Sequence, residues 1–196
     1  LNLTLPMLAA QRALGAFEGA AKQEAASAAL EAMAKRVGVS GREIVKHLGD
    51  AARGTVDKLA LMTGAADLMA AGIIPSMEEF VTIMMLVRKR AREMGIDTTE
   101  AWTKVTDAIK NSGLSGLGGG GQRLRGLNIF LDLDEAAKKF ATSLSKYPDQ
   151  LTPAEKAQAS FNAILEFAVK ELQGFNAEAE TNKEKLEKMR TKVGEL

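Results

Sequence analysis

The side chains equipped for chemistry in this chain are few, and they are spaced poorly for joint work. His47 is the single histidine, with Glu43 one helical turn before it and Asp50 three residues after. A divalent transition metal normally takes more nitrogen or sulfur donors than one imidazole, so a salt-linked surface histidine is expected. One imidazole also leaves a Ser–His pair without a marked nucleophile, and the chain has no cysteine for thiol chemistry, thiolate metal binding or disulfides. Gly116, Gly118 and Gly121 match the G-x-G-x-x-G spacing that brings a backbone close to a pyrophosphate. That site requires a strand before the glycines, whereas a helical pattern precedes these, and no Gly-Lys-Ser/Thr follows; a flexible link is expected. Asp132, Asp134 and Glu135 lack the turn glycine and distal Glu of a calcium loop, and a helix-start role accounts for them.

Two groups of residues offer binding rather than catalysis. Arg88, Lys89, Arg90 and Arg92 crowd one segment, and Arg123 and Arg125 follow the glycines. Such cations can hold phosphates, but at a helix C-terminus beside Glu93 and Asp97 they also complement the helix dipole, and a solvated helix end is expected. The whole chain carries 26 Lys and Arg against 25 Asp and Glu, a net charge of +1, so no global field draws it to nucleic acid or an anionic membrane. Met62, Met69, Met84 and Met85 would line a groove for a partner helix if exposed, and are ordinary core if buried. No acid, base and pocket come together in this pattern. Neither an enzyme nor a cofactor, a metal or a small-molecule substrate is expected.

The elements that carry these residues read as helices throughout. Three times a glycine and an apolar residue close a helical run before the next one opens: Gly38-Val39, Gly72-Ile73 and Gly95-Ile96. Glycine there accepts the left-handed conformation that satisfies the last carbonyls of a helix, while the next residue packs back on the final turn. Capping boxes mark the restarts at Ser40/Glu43, Ser76/Glu79, Asp97/Glu100, Asp132/Glu135 and Thr152/Glu155, the last with Pro153 at the position a helix best tolerates. With 46% hydrophobic residues, only 5% aromatics and Ala, Leu and Met as the apolar supply, the expected class is all-α, a multi-helix bundle of short helices.

The expected layout has three parts: an Ala-rich helical lead-in over 1–27, a bundle over 28–173, and a heptad helix over 174–196. Gly15 and Gly19 weaken the first helix enough to allow a break. Met77 to Met94 is apolar almost all round and reads as the hub of the bundle. Residues 111–126 contain too many glycines for regular structure and read as a mobile loop, followed by Leu127–Leu133 as extended chain tucked on the bundle. The next helix, from about Glu135, offers Ala137, Phe140 and Leu144 to the core, and another from Pro153 buries Ala157, Phe161, Ile164, Leu165, Ala168 and Leu172. From there Leu172, Phe175, Ala179, Asn182, Leu186, Met189, Val193 and Leu196 alternate in steps of three and four, a candidate self-association seam with coiled-coil character. An amphipathic helix folded back on the bundle is the alternative. No basic leader opens the chain, and Phe80–Val87 is far shorter than the roughly 20 residues that span a bilayer. A start at Leu1 suggests a fragment of a longer or processed protein.

A resemblance joins these segments. Gly126-Leu-Asn-Ile-Phe-Leu-Asp-Leu-Asp-Glu-Ala136, then Lys139-Phe-Ala, then Leu151-Thr-Pro-Ala-Glu-Lys-Ala-Gln-Ala-Ser-Phe-Asn-Ala-Ile-Leu165 resemble a bacteriophage tail tape measure protein. The likeness continues upstream through Leu30–Ile44, Ala65–Gly72 and Glu78–Gly95, and the order of the series carries it. The run Gly118–Gly121 departs from the short link expected there. The resemblance implies a long, mostly helical virion protein, made in the bacterial host cytoplasm and placed in several copies in the tail tube lumen. It would set tail length, contact itself and the tail tube and tail tip proteins, and assist genome delivery. It supplies no catalytic residues. The competing expectations are an all-α interaction or adaptor domain of cellular origin, working through the methionines, and nucleic-acid binding through the six cations.

Overall fold

The computed structural model describes residues 4–112 and 119–175, with side chains described over 18–112 and 121–175. Among these residues there is no strand. The order is α1 (Thr4–Arg36), α2 (Gly41–Ala52), α3 (Lys58–Ala70), α4 (Met77–Met94), α5 (Thr98–Ser112), α6 (Gly119–Arg125), α7 (Leu133–Ser143), a 3-10 turn (Pro148–Gln150) and α8 (Pro153–Glu171). The protein is an all-α, multi-helix bundle.

The three glycine cassettes close their helices as their chemistry requires. Gly38, Gly72 and Gly95 have φ of 75°, 87° and 64°. The amides of Val39, Ile73 and Ile96 each donate to a carbonyl one turn back, on Ala34, Leu68 and Ala91, at 3.1 Å. The same closure occurs three times with a residue other than glycine in the left-handed position. Arg53, Asn128 and Ser145 take φ of 55°, 52° and 56°, and the amides of Gly54, Ile129 and Lys146 donate to Gly49, Leu124 and Ala141 at 3.0, 3.0 and 2.9 Å.

The caps divide into three kinds. Ser76/Glu79 and Thr152/Glu155 form complete reciprocal boxes. At Asp97 and Asp132 the carboxylate accepts from the amides of Glu100 and Glu135 at 3.1 and 2.9 Å. Ser40 makes no side-chain cap; the amide of Gly41 donates instead to the Glu31 carboxylate of α1 at 2.8 Å. One cap was absent from the sequence reading: Asp57 accepts from Leu59 and Ala60 at 2.7 and 3.3 Å, and its own amide donates to Thr99 Oγ1 at 3.1 Å, tying the start of α3 to α5.

A single apolar cluster extends from Leu30 to Ala168. In α1, residues 18–29 are exposed apart from half-buried Gln23 and Ala26, and burial begins at Leu30. The helix runs unbroken past Gly15 and Gly19, so the break allowed there does not occur. Helix α4 packs against α2, α5 and α8, while α5 packs against α3, α4, α6 and α8. The hub is thus the α4–α5 pair rather than α4 alone, with Trp102 of α5 fully buried.

Three expectations are corrected. The glycine-rich stretch is not loop throughout, because Gly119–Arg125 is helical. Leu124 is fully buried there and Arg123 reaches Asp107 of α5 at 2.7 Å, so packing on α5 overrides the helix cost of the glycines. Residues 113–118 lie outside the described residues. In α7 only Ala141 is buried, Phe140 is half-buried, and Leu144 is 40% exposed. The helix starts two residues earlier than expected, ends before Leu144 and packs chiefly on α8, so one narrow face is covered. Between α6 and α7 burial alternates, with Leu127 and Ile129 buried and Phe130 exposed, but the extended piece is shorter than expected, because Leu127 and Asn128 belong to the turn that closes α6 and Leu133 already starts α7.

Candidate functional site

The cations near the end of α4 have separate fates. Arg88 is 1% exposed and belongs to the interior. Arg90, nearly as buried, donates from Nη2 to Glu171 Oε2 at 2.7 Å and from Nη1 to Glu93 Oε2 at 2.6 Å. Lys89 Nζ lies 3.0 Å from the same Glu171 oxygen and 2.7 Å from Glu93 Oε1. Two rings complete the cluster. The Arg90 guanidinium stands 5.3 Å from the centroid of Phe167, and that of Arg92 stands 5.3 Å from the centroid of Phe175.

The expected solvated helix end is therefore a clamp, in which α4 grips the last turn of α8 and the residue just beyond its turn. Burial works against the charge on Lys89, yet the Glu93 and Glu171 carboxylates outweigh it and raise its pKa above 10.5. Burial likewise opposes ionisation of Glu93, but the hydrogen bonds from Lys89 and Arg90 hold its carboxyl below the usual 4.5. Arg90 Nε is buried without a hydrogen-bond partner. Holding Glu171 across 81 residues of sequence leaves that donor unanswered.

Phe167 also lines a groove of about 490 Å³ between α7 and α8. Its apolar surface comes from Leu131, Phe140, Ala163 and Phe167, and Lys139 and Glu166 are among the charges around it. The arrangement suits contact with an apolar side chain flanked by mixed charge. Phe167 is common to groove and clamp.

The other residues singled out by sequence are dispersed. His47, Glu43 and Asp50 are all exposed on α2, and among the described residues no group of three His, Cys, Asp or Glu is placed to hold a metal ion. Asp132 and Glu135 take part in capping α7. Met62 and Met84 are buried in the core while Met69 and Met85 are half-buried, so the four methionines do not line an exposed groove together. The six cations form no common surface: Arg88 and Arg90 are inside, Lys89 is bound to carboxylates, Arg92 covers Phe175, Arg123 is paired with Asp107 and Arg125 is exposed. No helix among the described residues is long and apolar enough to cross a membrane.

Of the seam, Leu172 is the C-cap of α8 and packs partly against the core, and Phe175 is half-buried beneath Arg92. Ala179, Asn182, Leu186, Met189, Val193 and Leu196 lie outside the described residues. Glu171 and Phe167, the centre of the clamp, were missed by sequence reasoning. A partner some 80 residues away leaves no local signal, and the only hint was an unusual density of cations on α4. No family model, curated protein or solved structure matches the chain.

Proposed function

We propose that this chain is a segment of a bacteriophage tail tape measure protein, a virion structural protein that sets tail length from within the tail tube and assists genome delivery. The observation that carries the reading is the ordered series of resembling segments, set in a chain that is helical from α1 to α8. The segments fall in order on the α1–α2 junction, α3, α4, the passage from Gly126 through α7, and α8. Helix is a suitable material for a ruler, because it advances about 1.5 Å per residue and turns chain length directly into distance. The 33 residues of α1 alone extend about 50 Å by that measure. Near-zero net charge favours several copies lying side by side in a narrow lumen. The partners on this reading are further copies of the chain and the tube and tip proteins of the tail.

Insertion and deletion of helical blocks in the phage gene test the reading. Electron microscopy of the virions is expected to show tails changing by about 1.5 Å per residue inserted or removed, with the protein found in purified virions by mass spectrometry. Tails of unchanged length, or virions lacking the protein, overturn it.

A further inference from the structure

Helix α1 extends beyond the part of it that the core uses. Leu30 and Ala34 are buried, and the helix packs on α2 and α3. Over residues 18–29 only Gln23 and Ala26 are half-buried, and every other residue is exposed. At about 3.6 residues per turn, Ala21, Ala25 and Ala28 share the face opposite Gln23 and Ala26, with Lys22 on one flank of that ridge and Glu24 on the other. Side chains this small let a second helix surface approach closely.

The groove between α7 and α8 has the converse shape. Half-buried Ala136, Phe140, Ala163 and Phe167 contribute its apolar lining, and exposed Lys139 on α7 and Glu166 on α8 stand on its two sides. The two charges feel each other across it: Glu166 is held below its usual 4.5 chiefly by the hydrogen bond from Lys170, and by the Lys139 ammonium as well. The lining runs over 132–143 on α7 and 159–170 on α8. Each stretch is about 18 Å long, which is also the length of residues 18–29 on α1. The signs match too. Laid in the groove in one direction, the alanine ridge sets Glu24 against Lys139 and Lys22 against Glu166; reversed end for end, it sets like charge against like.

Ridge and groove are both exposed in one molecule, and α1 is a single helix fixed at Leu30 and Ala34, so the arm meets a groove only on another copy. We propose that residues 18–29 of one copy dock, through Ala21, Ala25 and Ala28, in the α7–α8 groove of a second copy of this chain. Arm and groove are different surfaces, so the contact is head-to-tail and a joined pair keeps one arm and one groove open for further copies. The mass therefore grows past that of a dimer. The contact goes beyond the tail reading and does not rest on it, and the virion experiment addresses that reading separately.

The test is sedimentation equilibrium of the 196-residue chain with Glu24→Lys, Lys139→Glu and, as a control on exposed α2, Lys46→Glu. Wild type and control should show a mass that rises with concentration beyond the dimer. Each reversal in the contact replaces an attraction by a repulsion and should weaken association by about tenfold. Mixing Glu24→Lys with Lys139→Glu should restore it, because the arm of each variant then meets a groove of opposite charge on the other. Ala25→Arg, which crowds the ridge, should weaken association as much. A strictly monomeric wild type, an association that both reversals leave unchanged, or a mixture no heavier than its components overturns the contact. If either reversal loses the native emission of Trp102, Ala25→Arg with that emission intact decides alone, and an unchanged mass overturns the contact.

Discussion

The indole of Trp102 lies directly over Gly64, so close that a Cβ on that glycine would stand 2.7 Å from Cε2 of the ring. The ring's Nε1 donates to the Ala60 carbonyl at 2.9 Å, one turn earlier on α3. The missing side chain on one helix is thus what lets the only tryptophan dock on it from another.

Gly64→Ala should therefore destabilise the protein although alanine is the better helix former. Helix propensity contributes about 1 kcal/mol in favour of the variant, while forcing a methyl into a filled interface costs about 1–3 kcal/mol, more where the neighbour cannot give. A lowered melting temperature with a red-shifted Trp102 emission is the expected result. An unchanged or raised melting temperature would mean that the indole can slide aside.

The start of α2 offers a swap between the expected and the observed cap. Ser40→Ala is expected to change stability by less than about 0.5 kcal/mol, because the Ser40 hydroxyl caps nothing, whereas Glu31→Ala should cost about 1 kcal/mol. Ser76→Ala, which breaks a complete box, should also cost about 1 kcal/mol. Urea denaturation of the three variants ranks them, and a Ser40→Ala loss as large as that of Ser76→Ala would refute the exchange of caps.

Helix α6 depends on one buried side chain. Leu124→Ala should cost about 2–4 kcal/mol and remove hydrogen-exchange protection over 121–125, while Arg123→Ala, breaking a pair with both partners well exposed, should cost less than about 1 kcal/mol. The opposite ranking would assign the helix to its ion pair.

Acid should erode the stability contributed by carboxylates that folding holds ionised. Glu155 is held down to about 2 by the Lys146 ammonium and the Thr152 amide. A carboxyl depressed by folding contributes stability that is complete above its ordinary value near 4.5 and is lost as pH falls through its folded value. Glu155→Gln keeps the box geometry without the charge. The difference in stability between wild type and this variant should be constant at neutral pH and shrink steadily from about pH 4.5 toward pH 2. Glu93 should follow the same sign in the acid range, and Lys89, raised by folding, should lose its contribution only as pH climbs past 10.5. Denaturation curves between pH 2 and 8 check the carboxylate sign directly.

Local chemistry alone determined the helical class, the glycine stops at Gly38, Gly72 and Gly95, the boxes at Ser76 and Thr152 and the alternating burial from Leu127 to Phe130. These features depend on neighbours within one turn or one alternation of chain, where residue type and spacing carry the physics. Tertiary structure decided the rest. Gly119–Arg125 became helix because α5 supplied a pocket for Leu124, Glu31 took the cap from Ser40 because α1 passes beside α2, and the cations of α4 became a clamp because α8 brings Glu171, Phe167 and Phe175 to them. Each of those outcomes depends on groups distant in sequence meeting at a few ångströms, and such a meeting leaves no periodic trace in either partner.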